Sequence, residues 1–211
     1  MPHYRGSLLL WGVCFCSFLF FGWGNEEIGL EIDEIVVINT TQSWTAFLAC
    51  SKLQNHPSEL YDCIRTAANQ HNQLIRHAYA HQLYPRPLFI GVVTYVTADI
   101  ISYSCYTLAL TFAFAIHNHY TLHILDEYSI LDDMDAYDVR WNKVNALLQG
   151  MSEGGFAWDV DYLLWVDADL VFLDLDYSIQ SLVTKYSDAH IIVSSEHAGN
   201  LDVVYVVYVC I

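Results

Sequence analysis

Beyond residue 87 the chain alternates short apolar runs with amphipathic segments. Four runs have the length and β-branched content of strands: residues 88–96, 120–125, 162–166 and 190–194. Three segments with helical spacing of apolar side chains lie between them: residues 102–119, 139–150 and 178–186. The order β-α-β-α-β-α-β is typical of a parallel sheet covered by helices, so the pattern predicts the α/β class.

Two later segments extend this pattern. One face of residues 139–150 is apolar and is predicted to be buried, and it carries Trp141, Val144, Leu147 and Leu148. Gly150 predicts the end of that helix, and Gly154-Gly155 predicts a flexible link. The tail 203–211 predicts one more strand, an apolar edge at the chain end, so we expect a sheet that is incomplete at its C-terminus.

Two uncharged apolar segments are candidates for membrane insertion. Residues 8–23 follow Arg5 and predict a signal peptide or a signal anchor within residues 1–24, with the bulky Trp23 favouring the anchor. Residues 100–116 are read either as a second span or as a buried helix. The strands predicted on each side favour the buried helix.

Residues 25–87 have the pattern of a stem. A short strand is predicted at 35–38, and mixed helical spacing is found at 43–53 and 59–84. Pro85 and Pro87 end this tract, so residues 88–211 are predicted to form the main folded domain.

Charge limits the partners of this chain. It has a formal net charge of −16 and eight Lys and Arg among 211 residues, which excludes the clustered basic surface that nucleic acid requires. A bound diphosphate would need a divalent cation held by carboxylates. The acidic residues are therefore the candidates for chemistry.

The cysteine, asparagine and histidine positions give smaller signals. In an oxidising lumen Cys50 and Cys63 are expected to close a loop, whereas Cys105 is read as a buried thiol. Asn39-Thr40-Thr41 is an N-glycosylation sequon, in agreement with a lumenal location. Four histidines are predicted to occupy surface helix positions without a metal: His56, His71, His77 and His81.

A carboxylate pair follows the most apolar strand. Residues 162–166 lead directly into Asp167-Ala168-Asp169, and charged groups next to a core are costly unless a partner compensates them. In an extended segment both carboxylates point to the same side, where they are predicted to bind one Mn²⁺ or Mg²⁺. The alternative is a strand end whose acids reach solvent.

Three stretches around this pair resemble a known group of enzymes. Residues 140–150 (RWNKVNALLQG), 161–175 (DYLLWVDADLVFLDL) and 190–197 (HIIVSSEH) are similar to the DxD-containing glycosyltransferases of the GT-A fold. They are nearest the fungal α-galactosyl/mannosyltransferase and plant xyloglucan xylosyltransferase group. The resemblance covers residues 88–200 and implies a Rossmann-like GT-A sheet, anchored in the Golgi or ER membrane with a lumenal catalytic domain.

The resemblance also implies a reaction and a set of residues. A hexose or pentose would pass from a nucleotide-diphosphate sugar to a glycan or glycoprotein acceptor, with Mn²⁺ or Mg²⁺ held by Asp167 and Asp169. The remaining donor-site residues are Thr94, Tyr95 and Thr97 around the nucleotide, Asp126 at the base and Lys143 near phosphate. Lys143 is equally consistent with a solvated position. The group's further metal ligand and acceptor pocket come from later sequence, which His197 does not clearly supply.

Two other functions remain open. A haloacid-dehalogenase phosphatase would use Asp167 as nucleophile and Asp169 as acid/base, with Ser194 or Ser195 in its second motif. Against it, no lysine follows Lys185, and a βαβ unit precedes the Asp strand. The third alternative is an inactive membrane-anchored relative that acts as a binding or scaffold protein.

Overall fold

The computed structural model describes residues 38–80, 88–127, 129, 142–193 and 206–209. The helices in these ranges are α1 (Thr41–Cys50), α2 (Pro57–Ala80), α3 (Ile101–Asn118), α4 (Asn142–Met151) and α5 (Ile179–Lys185), with a 3-10 turn at Ser51–Leu53. The strands are β1 (Ile90–Tyr95), β2 (Thr121–Leu125), β3 (Tyr162–Trp165), β4 (Ile191–Val193) and β5 (Val206–Val209). Every strand and helix predicted beyond residue 87 is present, with ends that differ by up to three residues.

The five strands form one sheet in the order β2-β1-β3-β5-β4. β1 pairs in parallel with both β2 and β3, whereas β5 runs antiparallel between β3 and β4. The predicted α/β class is confirmed. The expectation that the tail strand forms an uncovered edge is wrong, because β5 has a neighbour on each side.

β1 is the centre of the parallel part of the sheet, and both of its faces are covered. Ile90 and Val92 are fully buried in a cluster with α1, α2, α3 and α5. Val93 points to the other face and joins a second cluster with α2 and α4. The near-continuous apolar run that predicted this strand is what burial on two faces requires.

Helix α2 covers the edge of β2. Asn72 donates from Nδ2 to the carbonyl of Leu122 (2.8 Å) and accepts the N–H of Leu122 at Oδ1 (2.7 Å). His71 contacts the carbonyl of Tyr120 (2.9 Å) and the hydroxyl of Ser43 (2.8 Å). The surface position predicted for His71 is wrong, since the residue is 0% exposed. In the described sheet β2 is the outermost strand. Buried polar side chains of α2 therefore bond the backbone groups on its open side.

His56 and His77 lie at exposed positions, as predicted, and His81 lies outside the described residues. The predicted disulfide is present between Cys50 and Cys63 and joins the end of α1 to α2. Cys105 is a buried free thiol, as predicted. Both α1 and α2 come from the predicted stem, yet they share the buried cluster of β1. The core therefore continues across residue 87.

Helix α3 is the uncharged segment that had two interpretations. Leu108, Phe112 and Phe114 are each at most 1% exposed and pack against the sheet, so the buried-helix interpretation is confirmed. Of the helices in the described ranges, none combines the length and apolar character that a membrane crossing requires. The predicted leader 1–24 and residues 35–37 of the predicted strand at 35–38 lie outside those ranges, and Ile38 is not in a strand.

Helix α4 buries a different face from the one predicted. Leu147 is buried together with Ala146 and Gly150, but Val144 and Leu148 are 43% and 57% exposed. Trp141 lies outside the described residues. Gly150 on the buried face lets α4 approach Phe156 closely, which the apolar pattern does not reveal.

The link after α4 is a defined turn. Gly154 has φ of +75°, and a Cβ on Gly155 would come within 2.1 Å of the Gln149 carbonyl oxygen. Both glycines are therefore required by local geometry rather than by flexibility. The turn leads the chain back to β3.

Candidate functional site

The parallel strands bring the predicted site residues to one edge of the sheet. Asp126 follows β2, Tyr95 ends β1, and Asp167 follows β3. The register pairs Tyr95 with Leu125 and Val93 with Trp165, so these ends lie side by side. Adjacent strands are about 4.8 Å apart, which separates the backbones of Asp126 and Asp167 by about 10 Å. This edge is where ligands of open α/β sheets bind.

Asp167 is held by two donors. The Nε1–H of Trp165 donates to its Oδ1 at 2.8 Å, and the ammonium of Lys143 lies 2.8 Å from the same oxygen. The Lys143 nitrogen is also 6.0 Å from the centroid of the Trp165 ring. Because Trp165 is 2% exposed, its indole fixes the carboxylate from the core side, while Lys143 approaches from α4. Lys143 thus contacts Asp167 while its side chain remains 42% exposed.

Asp169 lies in a turn and not in an extended segment. The strand ends at Trp165, and the N–H of Leu170 donates to the carbonyl of Asp167 at 3.0 Å. The Thr107 hydroxyl on α3 donates to the carbonyl of Ala168, which is 8% exposed. The expectation that both carboxylates project from an extended strand is therefore wrong. The turn itself is anchored, and it presents Asp169 to solvent.

This donor set fits a metal ion only together with a ligand. Within the described residues no three His, Cys, Asp or Glu side chains converge on a point that could hold a metal. Mg²⁺ is commonly held by one or two carboxylates plus substrate phosphates and waters, rather than by an all-protein cage. Asp167 and Asp169 match that mode, because Asp167 has Oδ2 available beside its bonded Oδ1 and Asp169 is exposed.

Asp126 is bound to helix α2. Its Oδ2 accepts from the guanidinium of Arg65, and its Oδ1 accepts from the hydroxyl of Ser129 at 2.5 Å. Arg65 also reaches the Ser129 oxygen at 3.3 Å. The Asp126 side chain is 15% exposed. A nucleotide base at this position would meet the whole Arg65–Asp126–Ser129 cluster, and not a lone carboxylate.

The three residues at the end of β1 have different environments. Thr94 is 1% exposed, and its hydroxyl has no hydrogen-bond partner in the described part of the chain. The Tyr95 hydroxyl accepts from Asn142 at 3.0 Å, and Thr97 donates to Asp99. Tyr95 and Thr97 are partly exposed, so they are the two that face the edge.

An apolar groove of about 790 Å³ lies beyond the Asp167 turn. It runs from Leu164 and Leu170 past Leu173 and Tyr177 to Ile192. Leu173 is 95% exposed. Among the described residues that line it, Asp174 is the one acidic residue, and neither Asp167 nor Asp169 is included. These described lining residues lack the charge pattern of a diphosphate site.

Three residues of this edge were not anticipated: Arg65, Trp165 and Ser129. Trp165 carries a readable signal, because side chains two positions apart on a strand share a face and Asp167 is its i+2 neighbour. The sequence signal for Arg65 is weak: it is one of only eight Lys and Arg residues in the chain. Three sequence candidates lie outside the described residues: His197, Ser194 and Ser195.

Together the fold and this edge define the class as an α/β protein with an acidic site at the carboxyl ends of parallel strands. Comparison of the chain with protein-family models, with curated proteins and with solved structures gives no match in any of the three. The function is therefore inferred from the geometry of the site.

Proposed function

We propose that the protein is a metal-dependent glycosyltransferase of the GT-A type that acts in the lumen of the secretory pathway. It transfers a hexose or pentose from a nucleotide-diphosphate sugar to a glycan or glycoprotein acceptor. The observation that carries the proposal is the shared edge, where Asp126 and the Asp167–Asp169 turn lie on either side of β1. Their spacing of about 10 Å is too wide for one cation but suits the two ends of an extended nucleotide.

Each side chain has a role in this scheme. Asp167 and Asp169 would hold Mn²⁺ or Mg²⁺, which would supply positive charge that stabilises a leaving diphosphate. Lys143 adds positive charge beside Asp167 in a chain with few cations. Trp165 fixes the Asp167 carboxylate, and Arg65 fixes Asp126 at the far end of the edge. Tyr95 and Thr97 lie between them.

The proposal predicts that metal and nucleotide bind together. We expect Mn²⁺ with UDP or GDP to raise the melting temperature by about 5 to 10 °C at 100 times Kd, because a ligand that binds only the folded state stabilises it by about 2.7 kcal/mol. Mn²⁺ alone is expected to give a much smaller shift, since two carboxylates form an incomplete ligand set. Differential scanning fluorimetry with each component and with both measures this.

Two variants and a control locate the effect. Asp167→Asn and Asp169→Asn are expected to abolish the joint shift, whereas Asp188→Asn removes an exposed carboxylate after α5 and is expected to retain it. A folded chain that shows no shift with either nucleotide in the presence of Mn²⁺ would contradict a donor site at this edge.

One observation favours the non-enzymatic alternative. Asp126 and Asp167 are both already paired with cations of the chain itself, Arg65 and Lys143. Such pairs are also found where acids have only a structural role. Under that alternative, Lys143→Gln and Asp167→Asn change the stability of the fold and no nucleotide binds.

A further inference from the structure

We infer that Asn39 is an acceptor site for an N-linked glycan. Asn39-Thr40-Thr41 is the single Asn-x-Ser/Thr sequence in the 211 residues. The inference depends on the chain entering the lumen and not on its transferase activity. The reasons are the conformation of the sequon, its exposure and the disulfide that follows it.

The sequon is folded as an Asx turn at the start of α1. The side-chain Oδ1 of Asn39 accepts the backbone N–H of Thr41 at 3.0 Å, and Thr41 is the first residue of the helix. The carbonyl end of the amide is therefore oriented by the backbone two residues on. The other end, Nδ2, is the atom that carries a glycan, and it has no hydrogen-bond partner among the described residues. Thr41, the threonine that completes the sequon, and the side-chain amide of Asn39 thus lie within one turn.

The surroundings of the sequon leave room for a carbohydrate. Asn39 and Thr41 are exposed, and the solvent-facing stripe of α1 continues through Thr45 to Leu48, which is 46% exposed. The opposite stripe carries Phe47, which is 4% exposed and packs in the core. A glycan on Nδ2 therefore extends on the solvent side of α1 and displaces no packed side chain of the described residues.

The disulfide points to the compartment in which this reaction occurs. Cys50 and Cys63 are joined, and disulfides persist in secreted and lumenal proteins but are rare in the cytosol. Thr41 is the first residue of α1, and Cys50 is its last. The disulfide and the sequon are therefore two independent indications that this segment lies in the lumen.

The modification is the transfer of an oligosaccharide from a lipid-linked diphosphate donor to Asn39. The bond between the anomeric carbon and the diphosphate oxygen breaks, and a bond forms between that carbon and Nδ2 of Asn39. Nδ2 loses one proton to a base of the transferring enzyme. The lipid diphosphate leaves with the electron pair of the broken bond.

The test is expression of the full chain in a eukaryotic secretory host, followed by gel mobility with and without an amidase that removes N-glycans. We expect the wild-type chain to shift by one glycan on treatment. Asn39→Gln and Thr41→Ala are expected to run at the deglycosylated position without treatment. Thr41→Ser preserves the sequon and is expected to keep the shift, which separates loss of the acceptor from a folding effect.

An engineered site supplies the matched control. Asp176→Asn creates a second sequon with Ser178 at an aspartate whose side chain is 86% exposed. A wild-type chain that carries no glycan overturns the inference in either of two ways. If Asp176→Asn gains a glycan, the chain is lumenal and Asn39 is not used. If it gains none, the lumenal location fails as well, while nucleotide binding measured on the purified chain still tests the transferase proposal separately.

Discussion

The outer edge of β2, which α2 covers, and the carboxyl end of β3 are held by different kinds of polar contact. At the β2 edge, Asn72 and His71 bind backbone groups inside the core, and both side chains are at most 4% exposed. At the end of β3, Asp167 is held by Lys143, and these side chains are 24% and 42% exposed. The first region has no room for a ligand, whereas the second presents groups that a ligand can reach.

The energetic difference follows from burial. A buried backbone group that loses its partner costs about 1–3 kcal/mol, because water cannot replace the bond. An exposed ion pair contributes about 0–1 kcal/mol, because water and salt screen it. The β2 edge is therefore expected to determine the stability of the sheet, and the β3 end is expected to determine what it binds.

The largest effect is expected at Asn72. Asn72→Ala leaves both the N–H and the carbonyl of Leu122 without partners in the core, which predicts a loss of about 4 kcal/mol in the free energy of unfolding. The adjacent Gln73 is exposed on the same helix, so Gln73→Ala is the matched control and is expected to change stability by less than about 0.5 kcal/mol. Urea titration of both variants measures the difference. Equal stabilities would mean that α2 does not seal this edge.

Histidine protonation should weaken the same edge. Burial lowers the pKa of His71 to about 4, although its bond to the Tyr120 carbonyl acts in the opposite direction. The unfolded chain takes up a proton near pH 6.5 and the folded chain does not, so stability falls as the pH drops from about 6.5 to about 4. The 2.5-unit difference corresponds to about 3 kcal/mol.

Unfolding measured across that pH range tests the histidine effect. His71→Gln removes the titrating group and is expected to flatten the pH dependence. Some slope will remain in His71→Gln, because burial also lowers the pKa of His123, to about 3. A His71→Gln profile parallel to the wild type would show that His71 titrates normally.

The two regions also differ in how far the sequence predicts them. Apolar runs predict β1, β2 and β3 because strands buried on two faces leave a continuous signal. His71 and Asn72 are polar residues in a polar-looking helix, and their burial depends on the distant edge of β2, which local periodicity does not contain. The bent Asp167–Asp169 turn depends in the same way on Thr107 of α3. Residue types thus identify the candidate site, and tertiary contacts set its shape.

A smaller effect is expected where α2 reaches the ligand edge. Arg65→Gln removes the cation from Asp126, whose side chain is 15% exposed, and predicts a loss of about 1–2 kcal/mol because a largely buried carboxylate loses its charged partner. Arg76→Gln breaks a similar pair with Asp159 away from this edge. Nucleotide-induced stabilisation should fall in the first variant and persist in the second. A fall in both would indicate general loosening of α2.

The smallest stability effect, and the sharpest functional one, is expected at Lys143. Lys143→Gln should cost less than about 1 kcal/mol, because the pair with Asp167 is partly exposed and Trp165 still donates to the carboxylate.

If Lys143 serves only to neutralise Asp167, the variant should bind Mn²⁺ and nucleotide at least as well as the wild type, since the carboxylate loses its competitor. If Lys143 contributes charge to the diphosphate, binding should weaken while the melting temperature of the free protein barely changes. Calorimetric titration of UDP in the presence of Mn²⁺ separates these outcomes, and we expect weakening, because a chain of net charge −16 has few other cations to place beside a diphosphate.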